Sequence, residues 1–381
     1  MASDTVKTRS IADRIGPALS SFVSNFGWPR IIISLFILSL FALAPLAEVN
    51  VASALSDCFN RFGMNAILVL ALVPMVQSGC GLNFGLPVGV LAGLLGSTIA
   101  MQITSLGGAA GLIPAGFPMF FFVIALSIPF ALLFGWLYGL LLNKVKGDEM
   151  IIATYIGWAA VSFMSIMWLI IPFNAPTMIY AFKGSQLRAN IAVEGFYEGV
   201  LSDFLALRFF PFMSESGDTR HLLVIPTGMI LFVALVAALL WVFMRSKQGT
   251  AMTAVGSNPI YARASGVNAE RMRTLSVMVS CVLGAIGIVV YQQSYGFIQV
   301  YNGPMMAAFP AVAALLIGGA TVNKASIANV VIGTFLYQSM ITMTPKVINS
   351  LLKSDMAEVL RIIIANGMIL YALTRKSRVT R

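Results

Sequence analysis

Apolar runs of about membrane length recur along the whole chain, and that pattern leaves few folds open. They fall at 28–47, 62–79, 84–103, 117–142, 150–172, 222–244, 272–293, 305–319, 325–344 and 357–374. About 20 apolar residues in a helix cross the hydrocarbon core of a bilayer, and a helix satisfies its backbone hydrogen bonds within its own segment. The expected fold is therefore an all-α integral membrane protein. About ten transmembrane helices form a single domain, 28–374, with a polar segment before it (1–27) and a basic tail after it (375–381). Only 10% of the residues are charged, against about a quarter in a soluble domain. A leader peptide is the alternative for the first run, since small residues follow it. Its full length and long polar approach favour an uncleaved anchor.

The net charge of +10 follows from where the cations lie. With the N-terminus inside, sixteen Lys and Arg fall on the cytoplasmic side and eight on the other, four of those eight in the long connection 173–220. Retention of positive residues inside is a topology signal, and long loops weigh least in it. An even number of crossings also leaves the tail RKSRVTR inside. The basicity thus reports orientation in lipid, and nucleic acid has no support. The long connection mixes Glu194, Glu198, Asp203, Glu215 and Asp218 with Phe196, Tyr197, Phe204, Phe209 and Phe210. That suits either a lid over the bundle or a docking surface for an external protein.

Catalytic chemistry has no visible seat. HExxH, GxSxG and GxxxxGK[ST] are all missing, Cys58, Cys80 and Cys281 lack metal or redox spacing, and His221 stands alone at the entry to an apolar run. The chain reads as a non-enzyme that binds no cofactor directly. Beyond the first turn of a run, where Arg30, Arg273 and Glu358 stand, Arg361 is the one charged residue expected within a run, so a coupling ion has no buried acid to bind. Energy for uphill movement must come from another subunit. Neutral polar groups do occur: Gln77, Asn83, Gln102, Gln292, Gln293, Tyr295, Gln299, Asn302 and Gln338. They either line a wet path for an uncharged solute or tie helices together. Gln77, Asn83, Gln292, Tyr295, Asn302 and Gln338 are the pathway candidates, densest in YQQSYGFIQVYNG.

Two passages interrupt the apolar pattern with glycine: SGCGLNFGLPVGVLAGLLG after Gln77 and GGATVNKASIANVVIG after Ile317. Asn83 and Asn323 hold matching places, and small residues follow both (Gly89 and Gly93; Ala328 and Gly333). Interrupted helices in matching places of a weak repeat point to a translocation path. Glycines that let helices pack closely are the other reading.

The longest polar, basic passage between two runs is GTAMTAVGSNPIYARASGVNAERMR, from Gly249 to Arg273. Asn258 can cap a helix that has Pro259 at its first position, and Gly266 supplies a left-handed stop. Asn268 then starts the next helix. The enclosed helix is far shorter than the ~12–15 residues that persist alone in water, so it must be docked. Ile260 and Ala264 share one face, and Tyr261 and Ser265 the next. It packs either on its own chain or against a partner.

From RSKQGTAMTAVGSNPIYARASGVNAERMR through LLIGGATVNKASIANVVIG, the C-terminal half resembles the permease subunits of ABC importers for simple sugars, which share a superfamily with branched-chain amino-acid permeases. Gly256, Asn258, Ala262, Gly266, Val267 and Asn268, followed by an apolar helix and the pair Gly318–Gly319, carry the likeness. The resemblance implies that 249–269 is a cytoplasmic coupling loop whose short helix fits a groove in an ABC ATPase. Gly256, Ser257, Asn258, Pro259, Ile260, Tyr261, Ala264 and Gly266 would form the contact. It further implies a second permease, identical or paralogous, and an external solute-binding protein. The setting would be a bacterial inner membrane with both termini cytoplasmic, and ATP and Mg²⁺ would be held by the ATPase. A monosaccharide is the first cargo, a nucleoside or branched-chain amino acid the next, and a stand-alone channel or facilitator the rival class. Relatives commonly carry G-x-D-L-S-x-G at the first glycine-rich turn, where this chain has GLNFGLPVG with Asn83.

Overall fold

A computed structural model of the chain describes residues 28–106, 113–145, 147–171, 188–209 and 223–352, with isolated positions beyond them. The expectations for 1–27, 375–381, His221, Glu215, Asp218, Phe210 and Arg361 lie outside the described residues, as does most of the run 357–374. In chain order the helices are α1 (Trp28–Leu43), α2 (Val51–Leu70), α3 (Leu72–Gln77), α4 (Leu86–Leu106), α5 (Phe117–Lys144), α6 (Glu149–Ile170), α7 (Thr227–Arg245), α8 (Lys247–Ser257), α9 (Pro259–Ala264), α10 (Ala269–Tyr295), α11 (Ala308–Ile317) and α12 (Ile327–Leu352). Among the described residues, four three-residue strands decorate one end. Of these, β1 (Asn190–Ala192) pairs antiparallel with β4 (Phe297–Gln299), and β2 (Leu207–Phe209) with β3 (Leu223–Ile225).

The apolar helices alternate in direction between this strand end and the opposite end, where α8 and α9 lie. Contacts fix the alternation: Ser350 Oγ donates to the Ala47 carbonyl and Lys346 pairs with Asp57 at the strand end. At the other end Asn143 Nδ2 donates to the Glu270 carbonyl at 3.0 Å, and Arg273 pairs with Glu149. Continuous α2–α3, α4, α10 and α12 pack mostly against protein, whereas α5, α6 and α7 turn most of their surface outward. Leu133, Trp136, Leu137, Trp158, Phe163, Leu235 and Trp241 stand exposed on these outer three, a pattern that suits a lipid surround. Close approach in the centre depends on small residues. A Cβ on Gly89 would meet Cys281 Cα at 2.8 Å, and one on Gly93 the Ala285 carbonyl at 2.7 Å, so α4 and α10 touch backbone to backbone.

Seven helices among the described residues are long and apolar enough to cross a membrane, and two of the ten expected spans, 305–319 and 62–79, need correction. The run 305–319 is realised as α11, only 10 residues or about 15 Å long, which does not cross. The first run gives the 16-residue α1. The run expected at 62–79 begins instead at Val51 and reaches Gln77, with Asn50 Oδ1 capping Ala52 and Ser53 N–H. Apolar content alone could not find that start, because its first turns carry Asp57, Asn60 and Arg61. These residues, with Lys346 inside α12, also correct the expectation that no ionisable side chain but Arg361 interrupts a span.

The two glycine-rich passages are helix breaks of one design. At the first, Ser78, Gly79 and Cys80 N–H reach the Pro74, Val76 and Met75 carbonyls; at the second, Gly318, Gly319 and Ala320 reach Ala314, Leu316 and Leu315. Gly79 and Gly319 hold the required left-handed conformation, φ 77° and 80°. The same Schellman pattern recurs, and it supports the weak internal repeat.

Candidate functional site

A cavity of about 960 Å³ opens at the strand end. Its walls are stripes at helical spacing, polar toward the mouth: Asp57, Asn60, Arg61 and Met64 on α2, Ile288, Tyr291, Gln292 and Tyr295 on α10, and Gln338, Thr342 and Lys346 on α12. From Asp57 to Val69 the α2 wall descends about 18 Å at 1.5 Å per residue, which places the floor near mid-membrane. The floor is the start of α11, with Ala307, Phe309, Pro310 and Ala311. No side chain caps that helix start.

Gln292 is both strut and wall. Its Oε1 accepts from Ser97 Oγ and from the Tyr197 hydroxyl, each at 2.8 Å, while its Nε2 is buried without a partner. Burial pushes the Tyr197 phenol up from its ordinary value, so it keeps its proton and remains a donor. Neighbouring Gln293 ties the outer segment down by accepting from Leu201 N–H at 3.1 Å. Part of the 193–205 segment is thereby strapped onto α10, leaving Glu194, Glu198, Asp203 and Phe204 exposed above. Tyr291 and Tyr295 stack with centroids 5.3 Å apart, and Phe297 meets Tyr295 edge-on. The tyrosines and amides thus share the mouth half with the charges, where Asp57 and Lys346 neutralise each other, while Met64, Leu68, Val69 and Ile288 make the deeper wall apolar.

Of the six pathway candidates, Gln292, Tyr295 and Gln338 come together on this cavity. Asn302 is exposed in the turn before α11. Asn83 is fully buried and away from the cavity: it accepts from the Tyr138 hydroxyl and donates to Ser280 Oγ, both at 2.9 Å. Gln77 also lies elsewhere, at the end of α3 beside α8. These two tie helices together, the role open to any intramembrane amide. Asp57, Asn60, Arg61 and Lys346 are among the lining residues that sequence reasoning missed. The i, i+3, i+4 spacing of Asp57, Asn60 and Arg61 behind the Asn50 cap was the signal that could have found the three on α2.

At the opposite end, α8 and α9 form one compact unit. Asn258 Oδ1 accepts from Ile260 and Tyr261 N–H at 3.1 and 3.0 Å, Gly266 stops α9 at φ 81°, and Asn268 Oδ1 caps α10 through Arg271 N–H. The short helix is placed as its capping signals require. Residues 247–257, read as loop, are helical too: Ser246 supplies the cap, and the turns pack Met252 and Val255 inward. Val255, Ala262 and Ala269 make a small buried core that binds α8, α9 and the start of α10 together. Ile260 and Tyr261 point away from it, 81% and 69% exposed. Ser257, Asn258, Pro259, Ala264 and Gly266 share that exposed rim, and Gly256 is half-buried against α3. A family model described as branched-chain amino acid transport system, permease component, matches residues 54–373. No curated protein and no solved structure matches the chain.

Proposed function

The chain belongs to the family of permease components of branched-chain amino acid transport systems, and from that membership we propose the membrane-spanning subunit of an ATP-driven importer for a small neutral solute, a monosaccharide first. One observation carries the proposal: a rigid two-helix unit presents bare Ile260 and Tyr261 at the end opposite the cavity mouth. Apolar side chains so exposed outside the membrane suit a protein partner, here a cytoplasmic ABC ATPase holding ATP and Mg²⁺. The cavity would receive solute from an external binding protein at the strand end and share its path with a second permease. Its amides can exchange hydrogen bonds with hydroxyls, and its tyrosines offer flat faces to a sugar ring. Displacement of α8–α9 by the ATPase would open the path alternately to either side.

Affinity purification of the tagged chain from its native membrane tests this. An ATPase should co-purify at near-equal stoichiometry, and the double substitution Ile260→Asp with Tyr261→Asp should abolish co-purification while the chain stays monodisperse. A wild-type chain that emerges alone would move the reading to a facilitator. Uptake of labelled nucleosides or leucine in place of aldoses would overturn the cargo.

A further inference from the structure

Between the docking unit and the bundle lies a single side chain with both polar ends engaged. Gln77 is the last residue of α3, at the lip of the first helix break. Its Nε2 donates to the Ala325 carbonyl in the second break at 2.7 Å, and its Oε1 accepts from Thr253 Oγ1 on α8 at 3.3 Å. One carboxamide thus touches three parts that are distant in sequence. The backbone around it leaves no slack. Gly256, in the last turn of α8, packs directly on the Gln77 carbonyl, and a Cβ there would also lie 2.8 Å from Gly79 N. A Cβ on Gly79 would in turn lie 3.0 Å from Gly256 Cα. No flexible side chain stands between these segments to absorb a shift. The first break is also pinned to α10, since Ser78 Oγ and Ser276 Oγ, both buried, lie 2.7 Å apart.

We propose that Gln77 is a positioning residue for energy coupling, whose amide latches α8 to both helix breaks so that displacement of the α8–α9 unit moves the two breaks together. The proposal rests on the reading that an ATPase seats on α8–α9. It assigns Gln77 a role that a wall residue could not have, because both polar ends are used inside the protein and none faces the cavity. A donor and an acceptor on one neutral group are what the position needs. Leucine matches the shape and offers neither.

The test uses the complete transporter complex in liposomes with a reporter, Thr342→Cys, on the cavity wall. Cys58, Cys80 and Cys281 are buried free thiols, so the background with an impermeant maleimide is low. In the reporter background, trapping with Mg-ATP and vanadate should change the labelling rate of position 342. Adding Gln77→Leu should leave ATPase co-purification intact and shrink that nucleotide-dependent change at least about five-fold, the factor that each of its two lost neutral hydrogen bonds carries at about 1 kcal/mol. Thr253→Val, on the exposed face of α8, should shrink it partly, and Thr253→Ser, which keeps the hydroxyl, should restore it. If Gln77→Leu fails to assemble, the Thr253 pair still decides. An unchanged nucleotide response in Gln77→Leu, or in Thr253→Val, overturns the latch. A reporter complex without co-purifying ATPase overturns the functional reading and the latch with it.

Discussion

Asn83 shows how one residue's meaning changes once its neighbours are known. In the sequence it is a polar group inside an apolar run, open to two readings. In the structure it is the centre of a closed chain in which Tyr138 donates to Asn83, Asn83 to Ser280, and Ser280 Oγ to the Ala71 carbonyl at 2.6 Å. That last bond falls at the junction of α2 and α3, so the network clamps the first helix break against α5 and α10. Asn83→Leu would leave the Tyr138 hydroxyl proton without its acceptor and Ser280 Oγ without its donor, a loss of about 2 kcal/mol or more. Tyr138→Phe removes a single donor and should cost about 1 kcal/mol. Thermal unfolding in detergent should rank them in that order. A purified Asn83→Leu protein with wild-type thermal stability would contradict the clamp. Arg61 is the converse case: charged, exposed on the cavity wall, and overlooked because its helix starts earlier than apolar content reveals. The sequence carried its signal only as a spacing, which becomes legible once Asn50 is recognised as a cap.

At the scale of elements, the helices most readable in sequence were those that face outward. α5 and α6 are long, uniformly apolar and bounded to within two residues, because lipid imposes the same demand on every outward residue; α7 starts five residues later than its apolar run, since Leu223–Ile225 form β3. The elements misjudged were those whose surroundings are protein. α11 is half a crossing because it ends in a break that packs against α12: a Cβ on Gly333 would lie 2.6 Å from Gly318 N. Apolar content cannot distinguish a helix that crosses from one that stops inside, since both must be apolar. α8 was hidden for the opposite reason, being polar on its water side and held by only a few buried residues. Backbone contact sets the central interfaces, so bulk there should be felt at once. Gly93→Leu would drive a side chain into the Ala285 backbone on α10 and should sharply reduce the monodisperse fraction on size exclusion. Gly116→Ala, where nothing lies within 4 Å of a built Cβ, should keep that fraction despite the strain of its positive φ. Equal yields for the two would mean that α4 and α10 are less closely packed than described.

For the whole molecule, the two ends differ in charge and in shape, and the difference sets an orientation. Among the described residues, the α8–α9 end gathers Arg30, Lys144, Arg245, Lys247, Arg263, Arg271, Arg273 and Lys324. The connections at the strand end hold Arg188 and Arg208; Arg61 and Lys346, counted there from sequence, lie within α2 and α12. Moving those two into helices widens the asymmetry, because the positive-inside rule counts short loops and residues near helix ends. The strand end, with the cavity mouth, should therefore face outward, and α8–α9 should face the cytoplasm, where ATP is made. Single cysteines read this directly, since the native thiols are buried. Glu198→Cys, exposed at the strand end, should react with an impermeant maleimide on intact cells. Lys144→Cys, exposed at the α8–α9 end and outside the proposed ATPase contact, should react only after permeabilisation. The reverse pattern would turn the cavity toward the cytoplasm and place the bare Ile260–Tyr261 knob outside, beyond reach of any ATP-hydrolysing subunit. The importer reading could not survive that result, because its motor and its solute would then approach from the wrong sides.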